Sequence, residues 1–215
     1  MKIDLHVHSL ERSPCGKASA IAQINAAIEV GLDAIVFTDH RRLFPAEILA
    51  QLNDTYAPFC ILGGIEITIE GEDLLVLGIQ DPALEASLWT YPDLHAYVRE
   101  RDGFLALAHP FRYCPEIQLP LKQFPPDALE VYSCNTPLAA AGRIIELAQL
   151  WDLPPLCNSD AHAVQSLGKH YNLLDQRPRD EKELIQMLTA GMFTAVRQGS
   201  GDTCTERLRR SHPPA

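Results

Sequence analysis

The chain has 215 residues, 47% hydrophobic and 21% charged, which is the balance of a globular domain and excludes a disordered or fibrous one. Its 18 Lys and Arg against 28 Asp and Glu give a formal net charge of −10; that argues against non-specific binding to duplex nucleic acid and suits a site that gathers cations. No apolar run approaches the roughly 20 residues of a membrane span, and the first residues carry no basic-then-apolar leader, so a cytoplasmic chain is expected, without membrane contact. Six cysteines without a CxxC pair read as free thiols there.

Residues 2–8 alternate and read as a strand. A loop with Pro14 and Gly16 follows, then a helix over 18–30 with Ile21, Ile24 and Ile28 at helical spacing and Gly31 as its stop. An apolar strand at 34–38 ends at Asp39-His40, and 45–52 reads as a helix with Pro45 in its first turn. Residues 60–69 are β-rich and carry Glu66; 74–79 is another apolar strand. Residues 93–101 predict a helix with Asp93 as N-cap and His95 exposed. A buried-type strand at 104–108 ends at His109-Pro110, and 112–127 is Pro-rich and irregular. A strand at 129–132, a helix at 138–151, a short run at 155–158, a helix at 181–188 and a strand at 193–196 complete the pattern. Strands alternating with helices, with the strands nearly continuous apolar runs, predict an α/β fold of about seven parallel strands, short of a full eight-stranded barrel. One domain is expected over 1–198, with a mobile tail at 199–215 that includes His212.

The chemistry-bearing residues fall at one kind of place. His8, His40, Glu66, His109, Asp160 and His162 each come at or just after the C-terminal end of an expected strand. In parallel α/β folds those ends share one face, where catalysis occurs. Strand alternation points His6 and His8 the same way, and Asp160 and His162 likewise. Brought together, two imidazoles from one segment and a carboxylate–imidazole pair from another form a metal cage. Asp4, on the face of His6 and His8, is placed either to orient a ligand imidazole or to line the barrel floor.

The motifs Asp4-Leu5-His6-Val7-His8-Ser9, Thr38-Asp39-His40, Gly64-Ile65-Glu66, Ala108-His109-Pro110 and Asn158-Ser159-Asp160-Ala161-His162 occur in that order. Through them the chain, to about Val196, resembles the polymerase-and-histidinol-phosphatase (PHP) family. The resemblance implies a distorted TIM-like barrel holding two or three divalent metal ions (zinc, manganese or iron) and hydrolysing phosphate esters. It implies His6, His8, Glu66 and Asp160 as ligands of one ion, bridging Glu66 with His109 for a second, and His40 with His162 for a third. Three positions depart from the family pattern. Cys15 stands where the family has His or Asp, and a thiolate there would favour zinc; otherwise it is a loop thiol. Asp73 is the best replacement for a family His after Glu66. Cys134 or Asn135 occupies the place of another.

In-line attack on a phosphate ester calls for activated water and for cations on the phosphate oxygens. Arg112, three residues after His109, is the first choice for binding phosphate; Arg42, Arg41 and Lys169 also follow ligand positions. Asp160 and His162 are expected in catalysis. His170 is either a proton donor to the leaving group or a surface residue. The expected partner is therefore a small phosphorylated substrate: a metabolite, a nucleotide or a short oligonucleotide. Two other readings are a metal-dependent amidohydrolase, whose carboxylated Lys has no counterpart at a strand end here, and a non-catalytic metal-binding regulatory module.

Overall fold

The computed structural model describes residues 1–86, 88–198 and 205–210. In chain order its elements are β1 (Lys2–Val7), α1 (Ala20–Glu29), β2 (Ala34–Phe37), α2 (Ala46–Tyr56), β3 (Cys60–Ile69), β4 (Glu72–Leu77), α3 (Ala83–Ala86) and α4 (Tyr91–Arg99). They continue with β5 (Phe104–Leu107), β6 (Ala128–Tyr132), α5 (Ala141–Leu150), β7 (Pro155–Cys157), β8 (His170–Leu174), α6 (Glu181–Thr189), β9 (Phe193–Gln198) and β10 (Thr205–Leu208). A 3₁₀ turn at Leu138–Ala140 leads into α5, so the single helix expected there begins as a tighter turn.

Among the described residues the strands form one sheet in the order β10-β9-β8-β1-β2-β3-β4-β5-β6-β7. The pairs β1–β2, β2–β3, β5–β6 and β6–β7 are parallel, as expected. The expectation of parallel strands throughout is corrected at β4, which is antiparallel to both β3 and β5, and at the β8–β10 end of the sheet. Glu70 and Gly71, both at positive φ, make a two-residue turn that folds β3 and β4 into an antiparallel hairpin. β8, which the pattern reading left out, lies antiparallel to β1 and β9. Its polar Asn172 hid it, and that residue has a closing function. The Asn172 side chain accepts from Cys157 N at 3.1 Å and donates to Cys157 O at 2.9 Å, imitating a strand neighbour for three-residue β7. A parallel bridge between Val7 and Ala161 joins the same seam, leaving a nearly closed barrel.

Of the tail expected to be mobile over 199–215, only residues 205–210 are among the described residues, and these are held to the fold. Residues Thr205–Leu208 pair antiparallel with β9, and Arg210 reaches Asp152 at 2.8 Å; His212 and Cys204 lie outside the described residues. The five described cysteines are free thiols. Thr90, rather than Asp93, caps α4, with its hydroxyl accepting from Asp93 N; His95 is half-buried against the Pro125 carbonyl. No helix among the described residues is long and apolar enough to cross a membrane.

Helices α1 and α2 cover β1–β3 through Ile24, Phe37, Phe44, Leu49 and Ile61, all buried. Phe37, with 0% exposure and its ring 4.9 Å from that of Phe44, sits two residues before Asp39, so this packing also fixes where the strand delivers His40. Phe37→Ala is expected to lower unfolding free energy by about 3–5 kcal/mol in urea titration; a loss below about 1 kcal/mol would show that this layer is not the packed support described.

Candidate metal centre

The strand ends bring the expected ligands together. His6, His8, Glu66, His109 and Asp160 are at most 2% exposed. Their ligand-type atoms fall into overlapping groups within 4.8 Å of one another: His6, His8 and Glu66; His6, His109 and Asp160; Glu66, Asp73 and His109; and His8, His40 and His162. Asp73 joins from β4 as cross-strand partner of Thr68, whose hydroxyl donates to it, leaving the other carboxylate oxygen 3.7 Å from His109 Nε2.

The surrounding hydrogen bonds fix which nitrogen each imidazole presents. His6 Nδ1 donates to Glu130 Oε1 at 3.1 Å. Ser13 gives its single proton to Asp39 at 2.7 Å, so its oxygen accepts from His8 Nδ1 at 3.1 Å and from His40 N at 3.0 Å. His162 Nδ1 faces the Asp160 carbonyl at 3.0 Å. His6, His8 and His162 therefore present Nε2, rather than Nδ1, to the interior, the arrangement that outer partners impose on metal-ligating His. His6 Nε2 and His8 Nε2 stand 3.0 Å apart. Two lone pairs at that separation repel unless a positive charge lies between them. Beside them Glu66 Oε2 and Asp160 Oδ1 are buried and accept no hydrogen bond, although His40 Nδ1 lies 2.9 Å from the first and His8 Nε2 3.2 Å from the second. Orphaned carboxylate oxygens and converging lone pairs are what a cation site requires, and this donor set fits divalent metals.

Electrostatics agree. Burial works against a charged His6, but Asp160, Glu66 and Glu130 outweigh it and hold its pKa well above the usual range, so that a proton on Nε2 can take the place of a metal ion between the two rings. Burial dominates at His8, which is lowered to about 4 and stays neutral. Burial also opposes charge on Glu66 and Asp160, yet His6 and the other imidazoles keep both acids below the ordinary carboxylate range. The backbone carries strain here: His109 (φ 27°) and Asp160 (φ 48°) occupy the left-handed region, as does Phe111 (φ 66°).

The other expected positions divide. Arg112 Nη1 donates to Asp160 Oδ2 at 3.3 Å, which places the guanidinium at the mouth. Asn135 donates to the same oxygen at 2.7 Å, whereas Cys134 faces the Ser166 carbonyl and is no member of the cluster. Cys15 Sγ lies 3.1 Å from His162 Nε2. Arg41 and Lys169 are exposed, and Arg42 leans to Glu85 at 4.0 Å. Asp4 does not orient a ring: it accepts the backbone N–H groups of His6 and Ser159, tying β1 to the segment after β7, and burial pushes its pKa up to about 7. Both expectations for His170 are corrected. It is buried and its ring stacks on Tyr132; burial, helped by Arg197, lowers its pKa to about 4, so it is a neutral imidazole at neutral pH and not the imidazolium that a general acid needs.

Sequence reasoning missed the outer shell. Glu130, fully buried, accepts from His6 Nδ1, from Asn158 Nδ2 at 2.7 Å and from His109 N at 3.0 Å. A lone acid inside the apolar strand Leu129–Tyr132 was the available signal. Gln23, on α1, donates to the His8 and Ala161 carbonyls, both at 3.0 Å, and had no signal beyond being polar on an apolar helix face.

Comparison with known proteins adds the following. Residues 140–193, which include Asp160 and His162, match the PHP-associated family model. No curated protein matches the chain. Among solved structures, a two-domain protein from Bacteroides vulgatus, described as "containing predicted PHP-like metal-dependent phosphoesterase", shares the fold over 92% of this chain (TM-score 0.69, 16% identity); the chain spans 65% of that protein. PsfC from Pseudomonas syringae aligns over 98% of this chain and 91% of its own (TM-score 0.66, 22% identity). The lesion-specific endonuclease PfuEndoQ from Pyrococcus furiosus aligns over 90% of this chain and 57% of its own (TM-score 0.57, 17% identity). At these identities the likeness speaks for the fold. Residues 140–193 thus resemble a PHP-associated segment, set in a fold that this chain shares with a PHP-like structure.

Proposed function

We propose that the chain is a metal-dependent phosphoesterase that hydrolyses a small phosphate ester. The observation that carries this reading is the face-to-face placement of His6 Nε2 and His8 Nε2, both Nδ1 atoms being engaged, beside two unpartnered buried carboxylate oxygens. His6, His8, Glu66 and Asp160 would hold one cation, Glu66, Asp73 and His109 a second, and His40 and His162, with Cys15 adjacent, a third. Zinc, manganese and iron all suit this mixture of imidazole and carboxylate. Divalent cations bound there supply Lewis acidity, lower the pKa of water and offset phosphate charge.

The chain's own groups do the rest. Arg112, 26% exposed, is the cation free to turn from Asp160 to a phosphate oxygen. Asp160, held ionised by His6 and anchored by Asn135, orients water without taking up its proton. Glu130 fixes His6 and the His109 backbone so that neither needs to reorganise during reaction. The narrow access, with His40 32% and His162 19% exposed while the inner ligands are covered, favours a small ester. The amidohydrolase alternative calls for a buried Lys among the ligands, whereas Lys17, Lys122, Lys169 and Lys182 are exposed and Lys2 opens β1, at the strand end away from His8.

Three outcomes are expected. Chelator treatment abolishes hydrolysis of p-nitrophenyl phosphate, manganese or zinc restores it, and His8→Ala removes it; a fully metallated protein inert toward a broad panel of phosphate esters would sink the enzymatic reading in favour of a non-catalytic module. Arg112→Ala raises KM about tenfold with a smaller change in kcat, as loss of one charge-assisted hydrogen bond predicts; an unaltered KM would remove Arg112 from phosphate binding. Glu130→Ala weakens metal affinity about 10–100-fold in chelator competition, and unchanged affinity would deny it an orienting role.

A further inference from the structure

The loop after His109 carries a feature that ligand chemistry does not use. Tyr113 is 61% exposed. It is not a free surface residue. Its ring stands edge-to-face to His109, centroids 6.2 Å apart at 86°. The Arg112 guanidinium lies 4.9 Å from the centroid, and Arg112 is itself held by Asp160. The loop is pinned at its other end: the Arg143 guanidinium lies 4.0 Å from the Phe111 ring centroid, and the same side chain donates to the Pro115 carbonyl. Phe111 and His109, both at positive φ, turn the segment sharply. An aromatic ring is thus held one imidazole away from Glu66, with most of its surface open. Two other exposed apolar side chains, Leu10 at 56% and Leu138 at 63%, lie in the loops that follow β1 and β6, on the same end of the barrel.

We infer that Tyr113 is a specificity-determining residue: a stacking platform for a planar ring carried by the organic part of the phosphate ester. The inference rests on the proposed phosphoesterase reading and names its substrate class. A phosphate seated against Arg112 and the ligand groups leaves its alcohol portion beside the Tyr113 ring. Stacking suits that position because an aromatic side chain presents a large rigid face at small entropic cost, and Arg112 polarises the ring from its neighbouring position. Stacking of a planar ring on an aromatic side chain gives roughly tenfold discrimination against a ligand that lacks the ring.

Adenosine 5′-monophosphate and ribose 5-phosphate test this, because they share the same primary phosphate ester and differ in the ring. In the metal-loaded full chain, kcat/KM for the nucleotide is expected to exceed that for the sugar phosphate about tenfold. Tyr113→Ala erases that ratio, acting chiefly on the nucleotide, and Tyr113→Phe keeps it. The phosphonate analogues of both compounds, with the ester oxygen replaced by carbon, give the same ratios by calorimetry without turnover. Equal affinity for the two analogues in the wild type, or an equal loss for both in Tyr113→Ala, overturns the inference. Ring-dependent binding without any ester hydrolysis supports the platform while overturning the phosphoesterase reading.

Discussion

Two imidazole lone pairs cannot face each other at 3.0 Å in a dry interior without a positive charge between them. The protein holds His6 and His8 in that opposition from behind, and most of the remaining architecture serves to keep it. Glu130 takes the far nitrogen of one ring; Ser13, committed to Asp39, takes that of the other. Neither ring can rotate away without leaving a buried polar partner unsatisfied, at a cost of about 1–3 kcal/mol each. Asp4, Glu66, Glu130 and Asp160 crowd the same interior. Buried acids in such number are tolerated only where something positive compensates them.

The barrel supplies the enclosure. Helices on its outer face bury apolar residues of β1, β2 and β3, while the ligands emerge where these strands end. The seam between β7 and β8 is unusual in using one side chain, Asn172, in place of a backbone ladder. The same amide donates to Asn158, which in turn donates to Glu130, so barrel closure and ligand orientation share one hydrogen-bonded chain. Strained backbone at His109 and Asp160 is carried by this framework, consistent with strain collecting where side chains must be aimed.

The ligands were legible in the sequence because strand ends are. A run such as Phe104–Leu107 followed by His109-Pro110 announces both the strand and the residue it delivers. What the pattern could not convey was direction and pairing. β4 reads as an apolar strand whichever way it runs, and only the turn at Glu70-Gly71 betrays the hairpin. β8 was lost because Asn172 breaks an apolar run for a tertiary reason. His170 misled because a histidine after a ligand loop looks catalytic until its burial against Tyr132 is known. Gln23 and Ser13 act through partners distant in sequence or through shared protons, so no local pattern marks them.

His8, Glu66, His109 and Asp160 all lie within a few residues of strand termini, whereas the chain beyond them is variable in form: the two-residue turn Glu70-Gly71 in one place, a Pro-rich excursion between Leu107 and Ala128 in another. Reactive floor and surrounding wall are consequently separate inheritances in part. Recolouring a wall position that holds no ligand, such as Tyr113, alters what fits, whereas Ser13, Arg112 and Asn135 tie their loops to what reacts. A lineage built on this plan can exchange its clientele through substitutions at wall positions like Tyr113 while its chemistry stays put.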